Sequence, residues 1–419
     1  MISVFRRLRL TLPAKADVLI FDAAGSWVLS RFILNGIPHG VLPARFESIY
    51  VTPKVLMRMA ANIRRLRIDD MPRGWFLNPR MLVFQLRHLY FLACLDLIGS
   101  KVVLTFVDTH IYFQRCSRTY PEATFIAVQN GARDRAAVTP PCIPAPPHPA
   151  SRISIPHFHC FGRYEADLYA ATGHAVDNFY PAGSVRGSAY LARRGPLPPR
   201  VIHDICIVSQ WRLDLFHPEW RPEMARMPYI SQRNSFGKVV EFVARYARER
   251  AVSVCVARAS EHPEEETYFR QRLGDGADIV ASHRGDLSSY ACVDAAEVVV
   301  AGYSTLGIEA LGWGKKALLC NFTGDDGCAL PSQGLWSLSE PDYGAFRDRL
   351  DAIRAMTDAA YQRVAGEFAR YMMQFDFARP AHLAIREHVL ACLDGQGESW
   401  RPGSSQNDHR PTGRVRAAG

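Results

Sequence analysis

No apolar run in this sequence reaches the roughly 18 to 20 residues that a helix needs to cross a bilayer. The start, MISVFRRLRLTLPAK, lacks an apolar core of about 7 to 15 residues followed by a small-residue cleavage site, so no secretory signal is read and the expected compartment is the cytoplasm. None of the ten cysteines stands in a Cys-x-x-Cys spacing, which argues against zinc ribbons and redox dithiols. Cys94, Cys160, Cys206 and Cys255 lie inside apolar segments and read as buried thiols in a reducing compartment. No repeat of solenoid type is present.

What the chain does have is size and a basic balance. Its 419 residues suit two domains, and 48% hydrophobic with 22% charged residues can build a core for each. The net charge of +9 is spread along the chain, and a nucleic-acid partner is not expected because arginine and aromatics do not cluster. The segment KVLMRMAANIRRLR, residues 54–67, is the exception. Val55, Met59, Ile63 and Leu66 recur there at three- or four-residue spacing, which predicts an amphipathic helix with a basic face. Such a face is either solvated or makes weak peripheral contact with an anionic inner membrane.

Short apolar runs alternate with helical patterns, the signature of parallel sheets with crossover helices. Strands are predicted at DVLIF (17–21), SIYV (48–51), KVVLTFV (101–107), ATFIAV (123–128) and HFHCF (157–161), with a helix over about 27–34. The proline-dense segment 136–156 reads as an extended loop. After the joint ARRGPLPPR the alternation restarts with DICIVS, a helix over about 235–249, VSVCVA, ADIVA and EVVVA. The expectation is an α/β chain of two doubly wound, Rossmann-like domains facing a cleft. Residues 1–190 form the first, 191–203 the linker and 204–393 the second, and the composition of 394–419 predicts a disordered tail.

The stretch EVVVAGYSTLGIEALGWGKKALLCN parses as strand, turn, helix, strand. Its turn falls at the carboxyl end of a parallel strand, where open α/β sheets bind ligands. The unpaired N–H groups of the next helix suit an anion there. Ser304 and Thr305 supply hydroxyls, Gly302 and Gly307 permit close backbone approach, Leu306 lies in the same turn, and Glu309 is placed to accept hydrogen bonds from sugar hydroxyls. The bland alternative is a well-capped turn, with Ser304 bonding the helix end.

That stretch resembles the phosphate-binding segment of GT-B-fold glycosyltransferases of bacterial capsule and lipopolysaccharide synthesis, in which a Ser-Ser/Thr pair precedes a helix. In the similar CMP-using sialyl- and Kdo-transferases a His-Pro pair lies upstream in the same domain, and VSVCVARASEHPEEE supplies His262 and Pro263. Most of residues 17–393 is similar to surface-carbohydrate-biosynthesis proteins of this superfamily. The resemblance implies a nucleotide-sugar donor as substrate, no separate cofactor, and a glycan or lipid-linked glycan acceptor. The chain departs from it in one respect: the acidic Asp/Glu-Asp/Glu-Gly motif has no counterpart in the first domain, and TGDDGC (323–328) lies after the phosphate stretch, where it reads as a loop.

Transfer to an acceptor hydroxyl needs a base or a carboxylate nucleophile. Asp108 in TFVDTHIYF ranks first, Asp22 in IFDAAGS second and His110 third, each beside a strand end, with an N-cap or turn role as the alternative. His157 and His159 share a strand face, but no third ligand is suitably spaced, and no Asp-x-Asp stands at a strand end, so no metal is expected. An epimerase or polyol-phosphate transferase of the same fold, and a membrane- or nucleic-acid-binding scaffold, are the competing functions.

Overall fold

The computed structural model describes residues 8–11, 13–45, 48–66, 78–133, 154–195, 200–216, 229–282, 286–397 and 400. The predicted segment 136–156 therefore lies outside them up to residue 153, as does the tail apart from 394–397 and 400.

Fourteen strands run through the described residues. They are β1 Leu8–Arg9, β2 Val18–Phe21, β3 His39–Leu42, β4 Ile49–Tyr50, β5 Val102–Thr105, β6 Thr124–Val128, β7 Ser154–Cys160, β8 Ala175–Pro181, β9 His203–Val208, β10 Val254–Ala257, β11 Asp278–Val280, β12 Ala296–Ala301, β13 Lys316–Cys320 and β14 Ser337–Leu338. Two six-stranded sheets form, in the orders β3-β2-β5-β6-β7-β8 and β11-β10-β9-β12-β13-β14. Every pairing is parallel. The central strands VLIF, VVLT and KALLC are buried throughout, as sheets covered on both faces require. In each sheet the chain order reverses beside β2 or β9, so the two switch points face the cleft between two doubly wound domains.

Several expectations shift in detail. SIYV contributes only β4, which pairs with β1 in a separate two-stranded ribbon. Pro156 stands inside β7 rather than in a loop. It is tolerated because the ladder to β8 pairs Ile155 and His157 and skips it, and the ladder to β6 begins at His157. The helix predicted from about 235 begins at Tyr229 and ends at Arg250. Helix Pro79–Ile98 is long and apolar enough by length and composition to cross a membrane, with 56% of its most apolar window buried in the fold. Arg80, Arg87 and His88 interrupt its apolar sequence, which is why no continuous run is legible there.

The final helix, Ala381–Leu393, departs from the domain boundary read from sequence, since it crosses back onto the first domain. Its Arg386 donates to the carbonyls of Ile33 (2.8 Å) and Asn35 (2.7 Å). His382 meets Ser188 at 3.0 Å. The chain reaches it through a tight seam, in which a Cβ on Gly162 would lie 2.3 Å from the Tyr371 carbonyl and one on Gly312 would lie 2.6 Å from Met373.

Candidate functional site

β10, β9 and β12 are neighbours, so the turns leaving their carboxyl ends converge. β12 ends in a fully buried run and the chain turns at Gly302, where a Cβ would sit 1.9 Å from Gln210 Oε1. Glycine here leaves room for Gln210 in this position, whose Nε2 donates to the Tyr303 carbonyl at 2.5 Å and joins the β9 and β12 turns. Helix Thr305–Gly312 follows. A Cβ on Gly307 would lie 2.7 Å from the Cβ of Ala301, so this helix lies close against its strand, and Leu306 packs on the core beside it.

Ser304 has the extended N-cap backbone (φ −127°, ψ 135°), yet its hydroxyl makes no capping bond to the helix. The bland alternative of a side-chain cap is therefore absent. The Thr305 hydroxyl oxygen accepts the Ala132 N–H of the first domain at 3.0 Å, closing the cleft at this point. Beside the turn, Gly302, Tyr303, Ile308, Leu319, Asn321 and Leu330 line part of a small recess within the second domain.

His262 caps helix Pro263–Leu273. Its Nδ1 accepts the Glu264 N–H at 3.3 Å, so the neutral ring carries its proton on Nε2 as a donor. The loop is held by Glu265, whose buried carboxylate accepts from Ser209 Oγ (2.5 Å), Ala259 N (2.8 Å), Ser260 N (2.9 Å) and Ser260 Oγ (2.7 Å). Sequence reasoning missed Glu265; an acid three residues after a helix N-cap was its signal.

Glu309 lies one turn into its helix and is 1% exposed. Among the described residues no hydrogen bond of good geometry reaches either carboxylate oxygen, although Ser184, Tyr290 and Arg186 stand close to it. Burial raises its pKa, opposed by Arg186 and by the nearby Ser184 and Tyr290 hydroxyls.

Across the cleft, Asp108 and Asp22 are fully buried and each is held by an arginine. Asp108 Oδ2 accepts from Arg133 Nε at 3.2 Å and from the Tyr169 hydroxyl at 3.0 Å, and its Oδ1 pairs with the other end of the guanidinium. Arg133 also donates to Asn130 at 3.0 Å, which fixes the loop carrying Ala132. Asp22 adopts a left-handed φ of 86°, accepts Ala24 N–H at 3.0 Å and pairs with Arg45 at 2.9 Å. His110 stands at the N-cap position of helix Ile111–Thr119 without a side-chain cap bond and packs edge-on to Phe21 at 5.3 Å between ring centres. Glu165, unsuspected from sequence, is buried. Burial pushes its pKa up to about 7 against hydrogen bonds from Gln129 (2.7 Å) and Gly162 N–H (3.0 Å).

No family model and no curated relative matches the sequence. Among solved structures, S. aureus MnaA in complex with UDP superposes with a TM-score of 0.51, over 93% of this chain and 99% of its own, at 10% identity. A Listeria monocytogenes protein described as a UDP-N-acetylglucosamine 2-epimerase gives 0.50 over 93% and 98%, also at 10%. The chain has the GT-B fold. The wall teichoic acid polymerase TagF aligns at 0.49 over 91% and 90%, at 11%. The superpositions at 0.50 and 0.51 show the fold alone, and identities this low leave the chemistry to the residues of the site.

Proposed function

We propose that this GT-B protein is a cytoplasmic glycosyltransferase that moves a sugar from a nucleotide donor onto a glycan or lipid-linked glycan acceptor. One observation carries the reading: Ser304 stands at a helix N-terminus in the cleft with its hydroxyl uncommitted to the cap. The leaving phosphate would lie on the first N–H groups of that helix, with Ser304, Thr305 and the His262 Nε2–H as further donors. Thr305 would exchange Ala132 for the ligand as the cleft opens. Glu309, buried beside Arg186, Ser184 and Tyr290, would exchange those neighbours for the sugar hydroxyls. Asp108 and Asp22 are the candidates for the acceptor's base, and each would have to exchange its arginine.

Calorimetric titration with CMP, CDP, UDP and GDP tests the site. One nucleotide should bind, and Ser304→Ala/Thr305→Ala should weaken it without unfolding, by about 5- to 160-fold for each hydrogen bond lost at about 1–3 kcal/mol each. Unchanged affinity would place the ligand elsewhere. CMP selectivity would support an ulosonic-acid donor, for which His262-Pro263 is the motif. Selectivity for UDP would favour the epimerase reading, since MnaA was solved with UDP. Product analysis then decides, because an epimerase turns over without an acceptor. Activity should survive EDTA, the donors at the phosphate being protein groups; loss on chelation with rescue by magnesium or manganese would count against this.

The acceptor side also carries a surface for anionic lipid. In helix Pro53–Ala61, Val55 is buried, while Leu56 and Met57 are exposed, as is Ile63 just beyond, with Lys54, Arg58 and Arg64 beside them. Leu82, Val83 and Leu86 of the adjoining helix Pro79–Ile98 are exposed as well. This combination suits a peripheral contact with an anionic membrane face. Co-sedimentation should be seen with vesicles containing phosphatidylglycerol and not with phosphatidylcholine alone, and Arg58→Glu/Arg64→Glu should abolish it. Equal binding to both vesicle types would remove the electrostatic part of this reading.

A further inference from the structure

Three cysteines far apart in sequence meet inside the second domain. Cys206 and Cys255 are register partners on the parallel strands β9 and β10, so their side chains stand side by side on one sheet face. Cys292 comes from helix Ser288–Asp294, which packs on that face. The three Sγ atoms all lie within 4.8 Å of one another, and those of Cys206 and Cys292 are 3.8 Å apart. None is in a disulfide.

We propose that Cys206, Cys255 and Cys292 form a buried site for a soft, thiophilic metal ion held by three thiolates. A metal at the zinc–thiolate distance of about 2.3 Å holds its sulfurs about 3.8 to 4.0 Å apart, so small rotamer adjustments close the triad around an ion. Thiolates select soft ions, and no fourth His, Cys, Asp or Glu ligand joins the group among the described residues. Cys206 and Cys255 are 0% exposed and Cys292 is 6% exposed, which disfavours a water as fourth ligand and points to an ion content with three sulfurs, such as cadmium(II), mercury(II) or copper(I).

Charge balance is consistent with this. Three thiols binding a divalent ion release three protons to solvent and leave a complex of charge −1. Lys315 lies within electrostatic range of Cys206, and His203 within range of Cys292. Asp278 opposes them from the neighbouring strand but is 3.3 Å from His203. The thiols lie within the strands and the helix, apart from the cleft turns at Gln210, His262 and Ser304, so the ion is structural and does not enter the proposed transfer reaction. It would tie helix Ser288–Asp294 to β9 and β10.

Cadmium chloride titrated into the intact, reduced protein is the test. A thiolate-to-cadmium charge-transfer band should saturate at one ion per chain. Bound cadmium should protect Cys206, Cys255 and Cys292, but not Cys94 or Cys116, from alkylation mapped by mass spectrometry. Cys292→Ala should abolish the band and Cys94→Ala should leave it. Cys292→Ser, closer in size, is measured alongside in case the alanine variant fails to fold. Absence of the band at stoichiometric cadmium after prolonged incubation, or a band and protection pattern indifferent to Cys292, would overturn the proposal.

Discussion

Replacing Arg133 with alanine should lower the unfolding free energy of the first domain by about 3–5 kcal/mol, the usual cost of leaving one member of a buried ion pair behind. Asp108 is fully buried and the Arg133 side chain is 11% exposed, so water does not replace the lost partner. Burial alone would disfavour the guanidinium charge; the neighbouring Asp108 outweighs it and raises the Arg133 pKa. Neutralising both, in Arg133→Ala/Asp108→Asn, should recover a large part of the loss, because the uncompensated charge is gone and the Tyr169 hydroxyl retains an acceptor. Denaturant unfolding of the two variants checks this. A double variant as unstable as the single one would mean that the guanidinium acts through Asn130 and the loop rather than through Asp108. Against a total stability of about 5–15 kcal/mol, the single change alone endangers the fold.

The same pair shows where sequence reading succeeds and where it stops. The strand before Asp108 was legible because the run KVVLTFV gives way there to Asp108, Thr109 and His110, although β5 itself ends at Thr105. Its arginine was not, because Arg133 is 25 residues away and its meeting with Asp108 depends on β5 and β6 being adjacent. The turn after β12 was legible because a buried strand, a glycine turn and a helix start form one local unit. Ser304 having no cap bond, and Thr305 reaching Ala132 across the cleft, are products of domain placement that local pattern does not encode. The edge strand β8, AVDNFYP, escaped notice because its exposed outer residues give it no continuous apolar run. The three thiols escaped because register, not spacing, brings them together.

Acid should unfold this protein steeply, beginning where histidine ordinarily titrates, and the reason lies under the final helix. His159 Nε2 and His388 Nδ1 share a hydrogen bond of 2.9 Å, with His388 stacked 4.2 Å from Trp400. His157 and Tyr180 complete the cluster, and Arg379 contributes the nearest cationic side chain. Burial first, then neighbouring charge, pushes His388 down to about 3 and His159 well below its ordinary 6.5. His88 in the first domain is also lowered to about 3, by burial and then by Arg115. With a folded pKa below the unfolded one, the unfolded chain binds more protons as pH falls below 6.5. The stabilisation is therefore complete above that pH and is lost toward pH 3. Each histidine contributes up to about 1.4 kcal/mol per pH unit, reached only below its unfolded pKa, so the pair under the helix alone costs about 3 kcal/mol between pH 6.5 and 5. Thermal unfolding followed from pH 7.5 to 4.5 should show that slope, and His159→Leu/His388→Leu should remove about two-thirds of it if the three histidines weigh equally. A slope unchanged in the variant would assign the acid sensitivity to groups outside this cluster. If the slope falls as expected, the crossing helix rather than either sheet is where the fold yields to acid, because His388 rides on Ala381–Leu393 and its contact with His159 on β7 requires neutral rings that the unfolded chain would protonate.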